Sequence, residues 1–542
     1  MGIGFRTGVL AVAAVTCVLA QSGGELRFCL RADPKTFDPL LAEEEPSDAV
    51  RFLTGGVLIR FNRQSQQLEP ELAASWTVRD HGKRIDFVLR RNLRFSDGTP
   101  FGPADVVAVI GRIMDPNLHS GIADSFRSAG GDIRAEPSGP DQVSVFFSAP
   151  VAGVELLFDQ LAISSSRSGT PQNAVLGPFM LAEHKGGQYV LLRRNPYYWK
   201  TDSSGKKLPY LDSVRIEIQA NRETELLRFR RGELQLFDKL EPEAYQRLHK
   251  EAPSTVRNAG PSLDAEFFWF NQAPDAPFPE YKRKWMQSQL FRRAVSAGVN
   301  RDDIVRLVYR GYARPAAGPA SPANSLWVNS KLTPQRYDPQ LARKLLREDG
   351  FRLDGETLRD REGNAVEFSL ITNAGSTTRT QIGTMLQQDL KKIGIRLNFT
   401  PIEFQSLIER ITRTQQYEAC LLGLSNTEID LPNSQMNVWL SSGALHAWNP
   451  KELKPVTSWE AEIDRLMQAQ HTEMDRKARK AAFDRVQELI AEQVPIVYLV
   501  HPDVLVAVAP AVRNAAPSAL PPHLFWNIES LWLAGTGQRR KN

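Results

Sequence analysis

An α/β fold divided into more than one domain is predicted by two features of this chain. Its 542 residues exceed what one hydrophobic core normally organises, so two or three domains are expected. Short segments alternating with period two also recur between segments of helical period. Charged residues make up 24% and apolar residues 42%, which suits a soluble globular protein. A net charge of +5 is small for this length, and no Lys/Arg tract suggests nucleic acid as a partner. The local cluster Arg228, Arg230 and Arg231 reads as a solvated helix face.

The N-terminus reads as an export leader. Arg6 supplies a weakly basic start, residues 9–20 form a short apolar run, and Val18-Leu19-Ala20 offers small or aliphatic residues to a peptidase. The run is too short for a transmembrane helix. Cleavage after Ala20 is therefore predicted, leaving 1–20 as signal peptide. Lipid attachment at Cys17 is the second reading, disfavoured because Thr16 stands where Gly, Ala or Ser is usual. No later segment is long and apolar enough to span a bilayer. Cys29 and Cys420 then remain, on predicted strands far apart in the chain, and are expected to be buried, unpaired thiols.

Elements follow in order. Residues 25–30 read as a strand and 33–39 as the loop leaving it. A strand opens at Trp76, and Asp80-His81-Gly82-Lys83 turns the chain. Ile85, Phe87 and Leu89 then alternate as in a half-buried strand. Ser96 to Pro100 is a second turn, after which Pro103 opens a helix with Val106, Val107, Ile110, Ile113 and Met114 on its apolar face. A strand is expected over 214–218 and a helix over 223–230, stopped at Gly232. The unbroken run Phe267-Phe268-Trp269-Phe270 predicts a strand buried on both faces. Asn300 caps a helix, 311–322 reads as a surface loop, and Asp338-Pro339 opens a helix ending near Gly350. Further helices are expected over 380–392, 459–467 and 477–493, with strands over 395–399, 418–422 and 495–500.

Several of these segments share their wording with one family. Leu72-Ala73-Ala74-Ser75-Trp76, Phe87-Val88-Leu89-Arg90, Phe95-Ser96-Asp97-Gly98-Thr99-Pro100 and Asp105-Val106 occur in one fixed order. Gly177-Pro178-Phe179, Arg194-Asn195-Pro196-Tyr197-Tyr198-Trp199 and the run from Phe291 to Arg301 follow. Together they resemble the extracytoplasmic solute-binding proteins of ABC importers, in the peptide/oligopeptide/nickel-binding family (family 5). The resemblance implies a class II periplasmic-binding-protein fold, with two lobes, hinge strands and an extra inserted subdomain. Lobe I would take 21–57, 175–269 and 496–542, the inserted subdomain 58–174, and lobe II 270–495. It also implies a periplasmic, monomeric substrate-binding component that captures a peptide or other small solute and delivers it to inner-membrane permease subunits. No cofactor is implied.

For the ligand site the resemblance points first to Asp33 and Pro34, at the mouth of the cleft. It points next to the loop after the strand 418–422, where typical peptide binders read Gly-Trp-x-x-Asp. Here Leu424 stands at the Trp position and Thr427 at the Asp position, which removes the usual counter-charge for a peptide ammonium. Asp430 is the candidate substitute, with Ser425, Asn426 and Asn433 as polar neighbours. Phe268, Asn271, Trp439 and Tyr498 are further cleft candidates, with packing an open alternative for the aromatics.

Catalytic and metal motifs are absent from the sequence: it has no Gly-x-Ser-x-Gly, no His-Glu-x-x-His and no phosphate-cradling loop. The eight His residues do not pair at metal-ligand spacing, and His446 near Trp448 reads as a loop histidine. No enzyme activity is expected. A secreted ligand sensor or chaperone-like binder, or a secreted hydrolase, remains the alternative.

Overall fold

A computed structural model describes residues 23–424 and 429–535, so the expected leader and Cys17 lie outside the described residues. A four-stranded sheet runs Glu25–Leu30, Ser213–Ile218, Tyr189–Arg194, Phe179–Lys185, its first pair parallel and the rest antiparallel. A separate antiparallel sheet of Ala73–Arg79, Arg84–Leu89, Gln142–Phe147 and Ile133–Gly139 forms the subdomain between its first two strands in sequence. Helices Pro103–Ile113 and Gly121–Gly130 pack on that sheet through Val109, Ile113 and Phe126.

The eight-stranded sheet is organised around Ile496–Val508, thirteen residues long and buried along nearly its whole length. Its first half, Ile496 to Val500, pairs with Glu266–Trp269 of the strand Ala265–Phe270. Its second half, from Asp503 to Val508, pairs with Val256–Pro261 and Leu236–Phe237. Val497, Leu499 and Val500 therefore enter the second lobe's core, while Val504, Val506 and Val508 enter the first lobe's. The other crossing lies beside it, where the Ser262 amide donates to the Pro502 carbonyl at 2.7 Å. The aromatic run 267–270, most of which the sequence leaves in lobe I, pairs instead with Ala419–Leu424 in the second lobe. Phe268 and Phe270 face one core there and Phe267 and Trp269 the other.

Local signals read from the sequence recur in the structure. Asp338 accepts from the Gln340 and Leu341 amides at 3.0 and 2.8 Å to start Pro339–Glu348. Gly394 adopts a φ of 84° just past the helix Thr377–Lys391, as a helix stop requires. Two details differ. The expected loop 311–322 contains the strand Ala313–Pro315, which pairs with Val500–Pro502 because the long strand's edge is otherwise open there. Arg228 is not merely solvated, since it bridges Glu217 at 2.7 Å and Glu233 at 2.9 Å. Cys29 and Cys420 are both buried and unpaired, and burial pushes the Cys29 thiol up to about 12. No helix among the described residues is long and apolar enough to cross a membrane.

Of two arginines in the segment 291–301, Arg301 bonds this strand and Arg292 the chain just before it. Arg301 donates to the Tyr498 carbonyl at 2.7 Å, to the Ser296 carbonyl and hydroxyl at 2.9 Å each, and to the Gln335 carbonyl at 3.3 Å. Arg292 reaches the carbonyls of Val494 (3.1 Å), Gln493 (2.9 Å), Met286 (2.9 Å) and Gln287 (2.7 Å). Burial pushes both guanidinium groups down to about 10, and the ring of carbonyls takes the place of a carboxylate. Arg301→Met should cost on the order of 3–5 kcal/mol, because several buried carbonyls lose their donor. Urea denaturation checks this, and a loss below ~1 kcal/mol would show that the fork carries little.

Candidate functional site

A cavity of about 950 Å³ lies between the two lobes, walled by the first lobe, the inserted subdomain, the crossing at Ser262-Leu263-Asp264 and the second lobe. That volume falls at the upper end of small-molecule pockets. The first-lobe wall is the start of the helix Glu45–Thr54. Glu44 caps it, accepting from the Ser47 amide at 2.7 Å and the Lys35 amide at 2.9 Å. The positive end of the helix dipole favours the carboxylates gathered there, Glu44, Glu45 and Asp48. Glu43 reaches across to the subdomain and accepts from the Gly121 amide at 3.0 Å.

The subdomain wall is set by Asp159, which accepts from the Phe61 amide at 2.9 Å and pairs with Arg63 at 2.8 Å and Arg60 at 3.6 Å. Burial alone would raise this carboxyl; Arg63 and Arg60 overcome that and hold it below its usual value. On the second lobe, Asp430 pairs with Arg479 at 3.0 Å and accepts from Asn433 at 2.8 Å. Burial still pushes the Asp430 carboxyl above its usual value, against the pull of Arg479.

The two sides touch at the cavity rim. Asn433 Nδ2 donates to the Ala152 carbonyl at 3.1 Å, and the Ala152 amide donates to the His471 carbonyl at 3.3 Å. Gln66 donates to the Ala323 carbonyl at 2.7 Å and accepts from the Ser325 amide (3.1 Å) and hydroxyl (2.7 Å). Phe61, Leu263, Ile429 and Leu520 form a small apolar cluster spanning the lobes. Gly153, at a φ of 69°, lies so close to the second lobe that a Cβ would stand 2.8 Å from Arg479 Nη1 and 3.1 Å from Asp430 Oδ2. These contacts describe a cleft in its closed arrangement.

Of the residues expected from the sequence, the structure brings Asp430 and Asn433 into the cavity wall. Ser425, Asn426 and Thr427 lie outside the described residues. Asp33 stands away from the cavity, held by His184 at 2.9 Å and the Gly187 amide at 2.9 Å, and Pro34 beside it is buried. Leu424 ends a strand and packs on the second lobe's core. Phe268 is buried in the opposite core. Asn271 is buried and spends its amide on the Gln415 and Tyr417 carbonyls at 3.0 and 3.2 Å. Trp439 is buried, its indole donating to Gln435 at 2.9 Å. Tyr498 packs at a tilt against Phe267, ring centroids 5.4 Å apart, and borders a separate 480 Å³ pocket. Large apolar side chains in these strands fill cores, which is why they do not line the cleft. Glu43-Glu44-Glu45, a short acidic run that by itself suggests a solvated turn, also lines the cavity, with Glu43 and Glu45 exposed. An acidic residue two positions before Pro46 was the available signal for a helix cap.

Fold and cavity together define a two-lobed ligand-binding protein, and the comparisons with known proteins agree. The model of bacterial extracellular solute-binding proteins, family 5, matches residues 67–446, and the chain belongs to this family. A probable ABC transporter-binding protein of Deinococcus radiodurans is 27% identical over 525 residues, covering 88% of this chain and 87% of that protein. The oligopeptide-binding protein AppA of Bacillus subtilis is 22% identical, covering 95% and 92%. Among solved structures, NikA from Brucella suis in complex with Fe(III)-EDTA superposes with a TM-score of 0.79 at 19% identity, covering 94% of this chain and all of that one. Bacillus subtilis AppA in complex with a nonapeptide gives a TM-score of 0.70 at 22% identity, covering 95% and 99%.

Gly153→Ala should prop the rim apart, because the added methyl meets the Arg479–Asp430 pair and the residue's φ disfavours any side chain. Small-angle scattering of the ligand-free protein should show a larger radius of gyration than wild type. An unchanged radius would mean that this contact does not set the closed arrangement.

Proposed function

We propose that this chain is the exported substrate-binding component of an ABC import system and takes a small solute bearing a cationic group, such as a basic peptide. A carboxylate-rich wall carries this reading. The wall contains Glu43, Glu44, Glu45 and Asp48, with Asp124, Asp159, Asp238, Asp264 and Asp430, against Arg51, Arg63 and Lys239. Each of those cations is already bonded to a carboxylate: Arg51 to Asp48, Arg63 to Asp159 at 2.8 Å, and Lys239 to Glu45 at 3.0 Å. Asp238 Oδ1 is buried without a hydrogen-bond partner, a costly state that an ammonium or guanidinium in the cavity would relieve. Asp430 is engaged by Arg479, so the counter-charge for such a ligand comes mainly from the first lobe.

The proposed cycle follows from the two crossings. Rotation about 262–264 and 502–503 opens the cleft, and a ligand that contacts both walls favours the closed form by its differential affinity. The closed monomer then docks on permease subunits at the outer face of the inner membrane, after removal of the leader. Catalysis has no place in this cycle.

Mass spectrometry of protein purified without refolding, under native and then denaturing conditions, tests the assignment. A co-purified basic solute or peptide is the expected result. In a thermal-shift screen, ligand at a hundred times Kd should add about 2.7 kcal/mol of stability. Raising the ionic strength should weaken that binding, since the attraction is screened. Stabilisation only by anionic or neutral solutes would overturn the cationic preference.

A further inference from the structure

Behind the second-lobe wall of the cleft, His446, Glu452 and Glu460 converge in the interior, with side chains 0%, 2% and 3% exposed. His446 Nε2 stands 3.2 Å from Glu452 Oε2 and 3.9 Å from Glu460 Oε1, and the three ligand-type atoms all lie within 4.8 Å of one another. His446 Nδ1 faces the Val438 carbonyl at 3.2 Å. A carbonyl can only accept, so Nδ1 carries a proton, and Nε2 faces the two carboxylates, as an N–H in the imidazolium or as a lone pair in the neutral ring. Neither His446 Nε2 nor Glu452 Oε2 has a hydrogen-bond partner. Two buried carboxylates facing this nitrogen are unfavourable unless positive charge lies between them, either a proton on Nε2 or a bound cation.

The outer contacts of the three groups leave the same centre open. Glu452 accepts from the Val456 amide through Oε1 at 2.6 Å, which leaves Oε2 directed inward. Glu460 accepts from the Thr457 amide (3.1 Å) and hydroxyl (2.6 Å) through Oε2, and from the Trp448 indole through Oε1 at 3.0 Å. Ligating histidines and carboxylates are commonly oriented in this way by hydrogen bonds on their far side. Two carboxylates and a neutral imidazole carry a charge of −2, which a divalent ion balances. One nitrogen and two oxygens suit zinc, at about 2.0–2.2 Å to each, with a fourth position left for water. A contraction of the present spacing by about an ångström or less per group reaches that geometry.

We propose that His446 Nε2, Glu452 Oε2 and Glu460 Oε1 form a structural site for a divalent transition ion of the zinc type. The ion would fasten the loop 443–452 to the first turn of the helix Ser458–Thr472. It would also steady the cleft wall, because Val438 holds the His446 ring and the Leu445 amide donates to the Asn437 carbonyl at 3.0 Å, where Asn437 lines the cavity. The site is independent of the transport reading and of the solute.

Full-length protein stripped with EDTA and titrated with Zn²⁺ tests the proposal by three readouts: native mass, tryptophan emission and thermal midpoint. Wild type should take up one Zn²⁺ per chain and rise in midpoint. Emission should change because the His446 ring lies 3.9 Å from Trp448. His446→Ala and Glu452→Gln should each weaken Zn²⁺ binding at least ~100-fold and abolish the emission change, a larger loss than outer-contact variants show. Glu452→Gln keeps the side-chain shape and carries the test alone if His446→Ala does not fold by circular dichroism. Absence of Zn²⁺ binding by wild type would overturn the site in favour of a protonated His446 paired with the glutamates. Equal Zn²⁺ binding by folded variants would also overturn it, placing the ion in the acidic cleft.

Discussion

Ile496–Val508 is shared by both lobes, and the geometry of the cleft depends on that sharing. Its first residues pack in the second lobe's core and its last residues in the first lobe's, so neither lobe can shift along the strand without exposing apolar surface. The proposed rotation is placed where the strand changes partners. Pro502 sits at that point and cannot donate to a ladder, and Ser262 bonds its carbonyl instead. On one edge the partner changes there from Ala265–Phe270 to Val256–Pro261, while on the other Ala313–Pro315 pairs across Val500–Pro502. Arg292 and Arg301 anchor one side of this point through backbone carbonyl oxygens.

Closure itself rests on little. The rim contacts are a few hydrogen bonds, each worth about 0.5–1.5 kcal/mol net, and one small apolar cluster. A large apolar interface would lock the lobes together and leave the solute nothing to decide. Contacts this weak keep the open and closed forms within reach of each other, so a ligand touching both walls can set the balance. Glycines at the rim serve the same end by permitting close approach without interlocking side chains. A Cβ at Gly82, for example, would stand 2.7 Å from Met474 Sδ.

The fold was legible wherever a signal is local. Asp338, Asn300, Gly232 and Gly394 mark helix ends through bonds or φ values that involve only their own neighbours. Family wording then supplied the two-lobe arrangement, which no local pattern contains. The site was legible only in part, because lining a cleft is a long-range property. Phe268 and Trp439 have the composition of pocket walls and the placement of core residues. Asn271 looks like a polar anchor, yet its amide is consumed by two backbone carbonyls. Glu43 and Glu45 look solvated and are exposed, yet they stand at the cavity, and Glu43 also accepts from the Gly121 amide of the subdomain.

Electrostatics ties these observations to the ligand. The family resemblance leads one to expect a Gly-Trp-x-x-Asp pattern whose carboxylate on the second lobe would answer a peptide's ammonium. Leu424 and Thr427 stand in the corresponding positions of this sequence, and Asp430 three residues on is held by Arg479 while burial disfavours its charge. Arg479 also stacks over Trp327 at 4.8 Å, so the pair is built into the second lobe's packing rather than free to turn toward a solute. Carboxylates gather on the opposite wall, where a helix N-terminus and backbone amides stabilise Glu43 and Glu44 without an ion pair among the described residues. A cationic ligand would then bridge the lobes by charge from one side and by shape from the other, which makes closure itself sensitive to the ligand's sign.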